Sequence, residues 1–192
     1  MGDGKVYLEG GKSADIEIRF RHPRSNARCR LDWAVPNDKM PDAQRLMERA
    51  VNDGTKIFII QSADEWSEFI AVNSKAVFKD KFFCWNQLAG RVMFNKPHDI
   101  FKELPVGNAL NWPYQALIHT GVERMGLVME GEELLVGAYH TYPMAIGTAM
   151  GIVPMGKGSV LFSTLDIYGN IINDSAAGLV AKKLIFNMID FK

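Results

Sequence analysis

Cysteine is almost missing from this chain: Cys29 and Cys84 are the only two in 192 residues. No C-x-x-C pair exists to hold zinc or run dithiol chemistry. One disulfide between them stays open, although a chain of this length does not need one to fold. An excess of one charge is missing too. Lys and Arg number 22 and Asp and Glu number 22, whereas a nucleic-acid binder carries a basic excess or stripe. The densest basic run, Arg19, Arg21, Arg24, Arg28 and Arg30, alternates with apolar residues and reads as the wet face of a strand. No nucleic-acid partner is therefore expected. No apolar run approaches the roughly 20 residues of a membrane span, so no membrane partner is expected either. No basic-then-apolar leader follows Met1, so no signal peptide is expected in this chain. The four histidines, His22, His98, His119 and His140, form no i, i+4 pair and no H-E-x-x-H. Gly147-Thr-Ala-Met-Gly151 and Gly156-Lys-Gly158 lack both the dinucleotide fingerprint and the Lys-Ser/Thr ending of a P-loop. No metal and no cofactor are expected.

What is present fits an ordinary soluble globular protein, 47% hydrophobic and 23% charged, with enough length to bury a sizeable core. The whole chain, 1–192, reads as one α/β domain. Residues 1–40 supply N-terminal strands: a short one at 6–9, an alternating one at 14–21 with Ile16, Ile18 and Phe20 on one side, and an extended return at 27–35. Pro41-Asp42 then opens a helix over 41–53, with Ala43, Leu46, Met47 and Ala50 as its apolar stripe. Gly54 is the expected left-handed cap. Residues 56–60 form an apolar strand of the kind buried in a parallel sheet. Ser62 and Glu65 make a capping box for a helix over 63–73. This strand–helix rhythm predicts a three-layer α/β fold, with a mainly parallel central sheet and helices on both faces.

Further along, 82–85 and 91–94 read as short strands, and 97–104 as a short helix or turn. Strands are expected at 127–130, 134–140 and 146–153, the first two joined as a hairpin at Glu130-Gly131-Glu132. The last strand follows the Gly156–Gly158 turn. A final helix over 175–190 is capped by Asp174 or Ser175. Its apolar positions Ala176, Val180, Leu184 and Met188, widened by Leu179, Ile185, Phe186 and Ile189, predict a broad buried stripe. Burying Leu179, Val180, Leu184, Ile185 and Met188 would contribute about 1.5–3 kcal/mol each before side-chain entropy.

Several of these stretches carry a resemblance. Residues 42–60 with Ala63-Asp-Glu-Trp66, Phe83-Cys-Trp85, Leu104-Pro105, Asn111-Trp-Pro-Tyr-Gln-Ala116, and 152–158 with the closing strand and helix resemble the C-terminal accessory domain of glycoside hydrolase family 2 type proteins, the beta-galactosidase and beta-glucuronidase group. The resemblance covers about 40–192, and residues 1–40 match less clearly. It implies a class I glutamine amidotransferase-like, flavodoxin-like fold and a non-catalytic accessory role, supporting domain architecture or carbohydrate handling. The partners implied are the other domains of a parent hydrolase or a second copy of the chain, with carbohydrate as a further ligand. The parent's compartment stays open, an exported enzyme included. The family's catalytic glutamates lie on a separate barrel. This chain has neither the length nor the eight-fold pattern for one.

An amidotransferase-like fold also invites the alternative of a small hydrolase using Cys84, with His119 or His140 as base. That nucleophile needs a strained elbow lined by small residues, whereas Cys84 sits between bulky neighbours in Phe82-Phe-Cys-Trp-Asn-Gln87 and suits a buried strand cysteine. The richer cluster is aromatic and amide-bearing: Trp85, Asn86, Gln87, Asn111, Trp112, Tyr114, Gln115, Tyr139, His140 and Tyr142. Rings stack on sugar C–H faces and amides pair with hydroxyls. The same residues suit a docking surface for a neighbouring domain, and part of the set suits the core.

Overall fold

Two-residue connections decide the direction of most strands. A parallel return needs a crossover of a dozen or more residues, yet only 142–143 and 156–157 separate the long strands near the C-terminus. In the computed structural model, which describes residues 40–83, 93–107, 114–118, 125–141 and 144–191 (side chains of 40–42, 115, 116 and 141 aside), those strands pair antiparallel. The described residues all fall within one compact unit, Asn37–Lys192. The strands expected within 1–39 lie outside them.

The element order is α1 (Met40–Asp53), β1 (Lys56–Ile59), α2 (Ala63–Val72), β2 (Val77–Phe83), β3 (Met93–Asn95), a 3-10 turn (Asp99–Phe101), α3 (Gln115–Ile118), β4 (Met125–Glu130), β5 (Glu133–Thr141), β6 (Met144–Met155), β7 (Gly158–Ser163), α4 (Ile167–Asn170) and α5 (Ala176–Asp190). The fold is mixed α/β around a seven-stranded sheet. β6 is its hub, pairing with β5 from Met144 to Ile152, with β7 from Met150 to Met155, and with β4 at the single pair Leu127 and Thr148. Outside these, β3 joins β5, β2 joins β4, and β1 joins β7.

The expectation of a mainly parallel sheet is corrected here: among the described pairings only β1 with β7 is parallel. The strand–helix rhythm of 41–73 does not continue along the chain, because the two-residue connections after 141 and 155 are too short for a parallel return. The turn at Glu130-Gly131-Glu132 forms, with Gly131 at φ 89°. It joins strands that ladder with other partners, β4 with β2 and β5 with β3 and β6, rather than a paired hairpin.

Side-chain alternation puts an apolar layer on each side of the sheet. In β7, Val160 and Phe162 join Met47, Ala50, Ala63 and Ile70 of α1 and α2. Leu161 between them joins Val180, Ala181, Leu184 and Met188 of α5. β6 divides the same way, with Val153 and Met155 on the first side and Met150 and Ile152 on the second. Period-two alternation is the reason one strand can serve both layers. The expected helices 41–53, 63–73 and 175–190 are thus present within a residue or so at each end.

Three caps and turns form as their residues predict, and one does not. Gly54 takes φ 77° after α1 and Gly156 φ 58° before β7. A Cβ on Gly156 would press on the Val51 carbonyl, so only glycine closes that turn. Ser175 caps α5 by accepting from the Gly178 N–H at 3.2 Å. Ser62 forms no capping box: it sits at φ 53° and its side chain makes no cap hydrogen bond.

The stripe of α5 is narrower than expected. Val180, Leu184 and Met188 are buried, but Leu179, Phe186 and Ile189 are 66%, 64% and 68% exposed. These three lie on the side of α5 turned away from its buried residues, and a helix on a flat sheet buries only one side.

Candidate functional site

Among the candidate residues, the structure places Tyr114, Tyr139 and His140 and assigns them different work. Trp85, Asn86, Gln87, Asn111, Trp112 and Tyr142 lie outside the described residues, as do Cys84 and His119. Gln115 opens α3, and its side chain is not among those described.

Tyr114 is core. It is 2% exposed, meets Phe101 edge-on at 6.4 Å, and its hydroxyl donates to the Pro105 carbonyl at 2.8 Å. Asn95, itself buried, donates from Nδ2 to the same carbonyl at 2.8 Å and to the Tyr114 oxygen at 3.4 Å. One carbonyl thereby ties β3, the loop at 105 and the start of α3. Burial pushes the Tyr114 phenol up to about 12, with the Asn95 hydrogen bond opposing. A ring so enclosed is an anchor for the fold.

Tyr139 stands on the outer side of the sheet. Its ring stacks with Phe94 of the neighbouring strand, centroids 5.6 Å apart and planes at 24°. The register explains the contact: Phe94 lies opposite Gly137, two residues before Tyr139 and on the same face. Across β6, Tyr139 faces Ile146 and Thr141 faces Met144. Ile146 and Met144 are 70% and 84% exposed. An irregularity between Leu134 and Gly137 brings the exposed Leu134 to the same patch, its methyls 3.8 Å from where a Gly137 Cβ would stand. Gly137 itself leaves the centre low. The other side of these strands, with Met93, Ala138 and Met150, is sealed in the core.

The patch has a polar border. Thr148, two residues past Ile146 on β6, donates from Oγ1 to Glu132 Oε1 at 2.6 Å. The face is therefore an apolar and aromatic surface of Leu134, Phe94, Tyr139, Ile146 and Met144, with the Glu132 carboxylate at one margin, held by the buried Thr148 hydroxyl. Such a surface holds a flat ligand by stacking and dispersion and orients it through hydroxyl contacts. His140 faces the other way from Tyr139 by strand alternation, opposite Ala145, and is half-buried.

Sequence reasoning found Tyr139 and missed Phe94, Leu134, Ile146 and Met144. The alternation of Met144 and Ile146 with Ala145 and Gly147 was a usable signal for an apolar strand face. Which side of that strand faces solvent was not in the pattern. Among the described residues, no group of three or more His, Cys, Asp and Glu is placed to hold a metal ion, and no described helix is long and apolar enough to cross a membrane. Set against protein-family models, curated proteins and solved structures, the chain has no match in any of the three.

Proposed function

We propose that this chain is a non-catalytic accessory domain of a glycoside-hydrolase-type protein that handles carbohydrate through the outer face of β3, β5 and β6. The observation that carries the reading is the Phe94–Tyr139 stack beside exposed Ile146 and Met144. A pyranose offers one face of C–H groups to such rings and side chains, and its hydroxyls find a partner in the Glu132 carboxylate. Family kinship rests on the sequence resemblance of 40–192. In that reading α1, α2 and α5 correspond to the outer helices of a class I glutamine amidotransferase-like, flavodoxin-like domain. The antiparallel pairings of β4 to β7 are a departure from it.

Isothermal titration with oligosaccharides containing galactose, xylose or glucuronic acid tests the proposal. Binding is expected with at least one, weakened about tenfold or more by Phe94→Ala or Tyr139→Ala. Nitrophenyl glycosides and glutamine should not be turned over. Absence of heat with every sugar overturns the carbohydrate role, and turnover by the isolated chain overturns the non-catalytic one.

A further inference from the structure

One row of side chains crosses the outer face of β3, β5 and β6. Phe94 of β3 stands opposite Gly137 of β5, and Gly137 stands opposite Thr148 of β6. Residues directly opposite one another share a face, so the row runs from a ring, over bare backbone, to a hydroxyl. Two inter-strand steps of about 4.8 Å each separate Phe94 from Thr148, with no side chain between them. Among the described residues, the atoms nearest a Cβ built on Gly137 are the Leu134 methyls at 3.8 Å and the Phe94 carbonyl oxygen at 4.0 Å. The result is a hollow floored by Gly137. Leu134 and the Phe94–Tyr139 stack border it on the apolar side.

The remaining border carries charge. Thr148 is 1% exposed, and its hydroxyl hydrogen goes to Glu132 Oε1 at 2.6 Å. That bond holds the carboxylate beside the hollow and leaves Oε2 without a partner among the described residues. Neighbouring carboxylates are compensated: Glu133 lies 3.3 Å from Lys96, and Glu130 pairs with Lys79. Glu132 has no such cation among the described residues, so it gives the hollow a net negative edge. An ionised carboxylate only accepts hydrogen bonds. It therefore takes hydrogens from hydroxyl or ammonium groups, and a second carboxylate brought against it meets like charge.

We infer that the hollow over Gly137 seats one sugar ring and that Glu132 sets its specificity, for neutral and amino pyranosides and against uronic acids. The inference rests on the carbohydrate role proposed above and adds which sugars that role takes. The ring sits over Gly137 against Leu134, Phe94 and Tyr139, and one of its hydroxyl or ammonium groups donates to Glu132 Oε2. An ammonium group at that position makes a charge-assisted hydrogen bond. A uronic acid brings its own carboxylate to the same negative edge.

Isothermal titration of the intact chain with size-matched oligosaccharides of galactose, galactosamine and galacturonic acid reads the selection. Galactosamine is expected to bind about tenfold or more tighter than galacturonic acid, with galactose between them. Added salt should narrow that gap. Glu132→Gln keeps an oxygen for Thr148 and removes the charge, so it should bring the three sugars to within about threefold of one another. Gly137→Val fills the hollow with a residue suited to strands and should abolish binding of all three while the chain still melts cooperatively. Gly137→Ala, a smaller plug, should weaken all three and covers the case of a valine variant that does not fold. Equal binding of the three sugars by the wild-type chain overturns the inference and leaves the carbohydrate role standing. So does a preference that survives Glu132→Gln, or full affinity in both Gly137 variants. Silence with every sugar overturns the carbohydrate role and this inference with it.

Discussion

Asn187, near the end of α5, donates both Nδ2 hydrogens, to the carbonyls of Ile100 and Lys102, each at 2.9 Å. A buried amide on the final helix thus satisfies the backbone of a 3-10 turn 85 to 87 residues earlier. Nearby, Lys183 holds Glu103 at 2.6 Å, and that hydrogen bond and charge keep the Glu103 carboxyl below its usual range. The closing helix is therefore a clamp on the 97–104 segment as well as a cover for the sheet.

Replacing Asn187 with Leu removes two hydrogen bonds and leaves two carbonyls without their donor. A loss of about 2–4 kcal/mol is expected from the unsatisfied groups, read as a lower denaturant midpoint with unchanged slope. Asn187→Leu with wild-type stability would show that these carbonyls find other partners.

Deleting 176–192 should abolish cooperative folding. Val180, Ala181, Leu184 and Met188 leave the core together, and about 1.5–3 kcal/mol for each of the three larger side chains compares with a whole-domain stability of roughly 5–15 kcal/mol. The contribution once expected from Leu179 is absent, because that side chain is exposed. A truncated chain that melts in one sharp transition contradicts this.

The raised phenol of Tyr114 sets the sign of an alkaline effect. The folded state keeps the proton up to about pH 12, while an unfolded tyrosine releases it near 10. Between those values the unfolded state binds fewer protons, so stability is full below pH 10 and falls as pH rises toward 12. Tyr114→Phe should flatten that limb while lowering stability at neutral pH through the lost Pro105 bond. Absorbance at 295 nm should show one late-titrating tyrosine that the substitution removes.

Two glycines on neighbouring strands should respond oppositely to alanine. At Gly147 a Cβ would stand 2.6 Å from the Leu127 carbonyl and 2.9 Å from the Phe82 ring, so Gly147→Ala should cost about 1–3 kcal/mol through overpacking. At Gly137 the nearest atoms are 3.8 Å away. Gly137→Ala should be neutral or slightly stabilising, since glycine is a poor strand residue. Thermal melts of the pair check the contrast, and equal losses would refute the close approach of β4 to β6 at Gly147.

Ser62→Gly should stabilise by up to about 1 kcal/mol. Serine at φ 53° with no cap hydrogen bond carries left-handed strain that glycine does not. Loss of stability instead would mean that the hydroxyl has a role.

Much of the local structure was legible. Gly54, Gly156 and Ser175 acted where their chemistry placed them, and α1, α2 and α5 follow helical spacing that depends only on neighbouring residues. The candidate site was legible in one residue, Tyr139. Its partner Phe94 is 45 positions away, and only strand register brings the two rings together.

The amino-acid order by itself determined the helices, the turns and, through connections of two residues, the antiparallel course of β5, β6 and β7, because these follow from local sterics and chain reach. Only the tertiary structure decided which apolar side chains stay outside. Tyr114 and Tyr139 are the same residue type, yet one is sealed against Pro105 and Asn95 and the other is half-buried beside Phe94. Burial belongs to the assembled sheet and the helices packed on it, and no short stretch of chain encodes it.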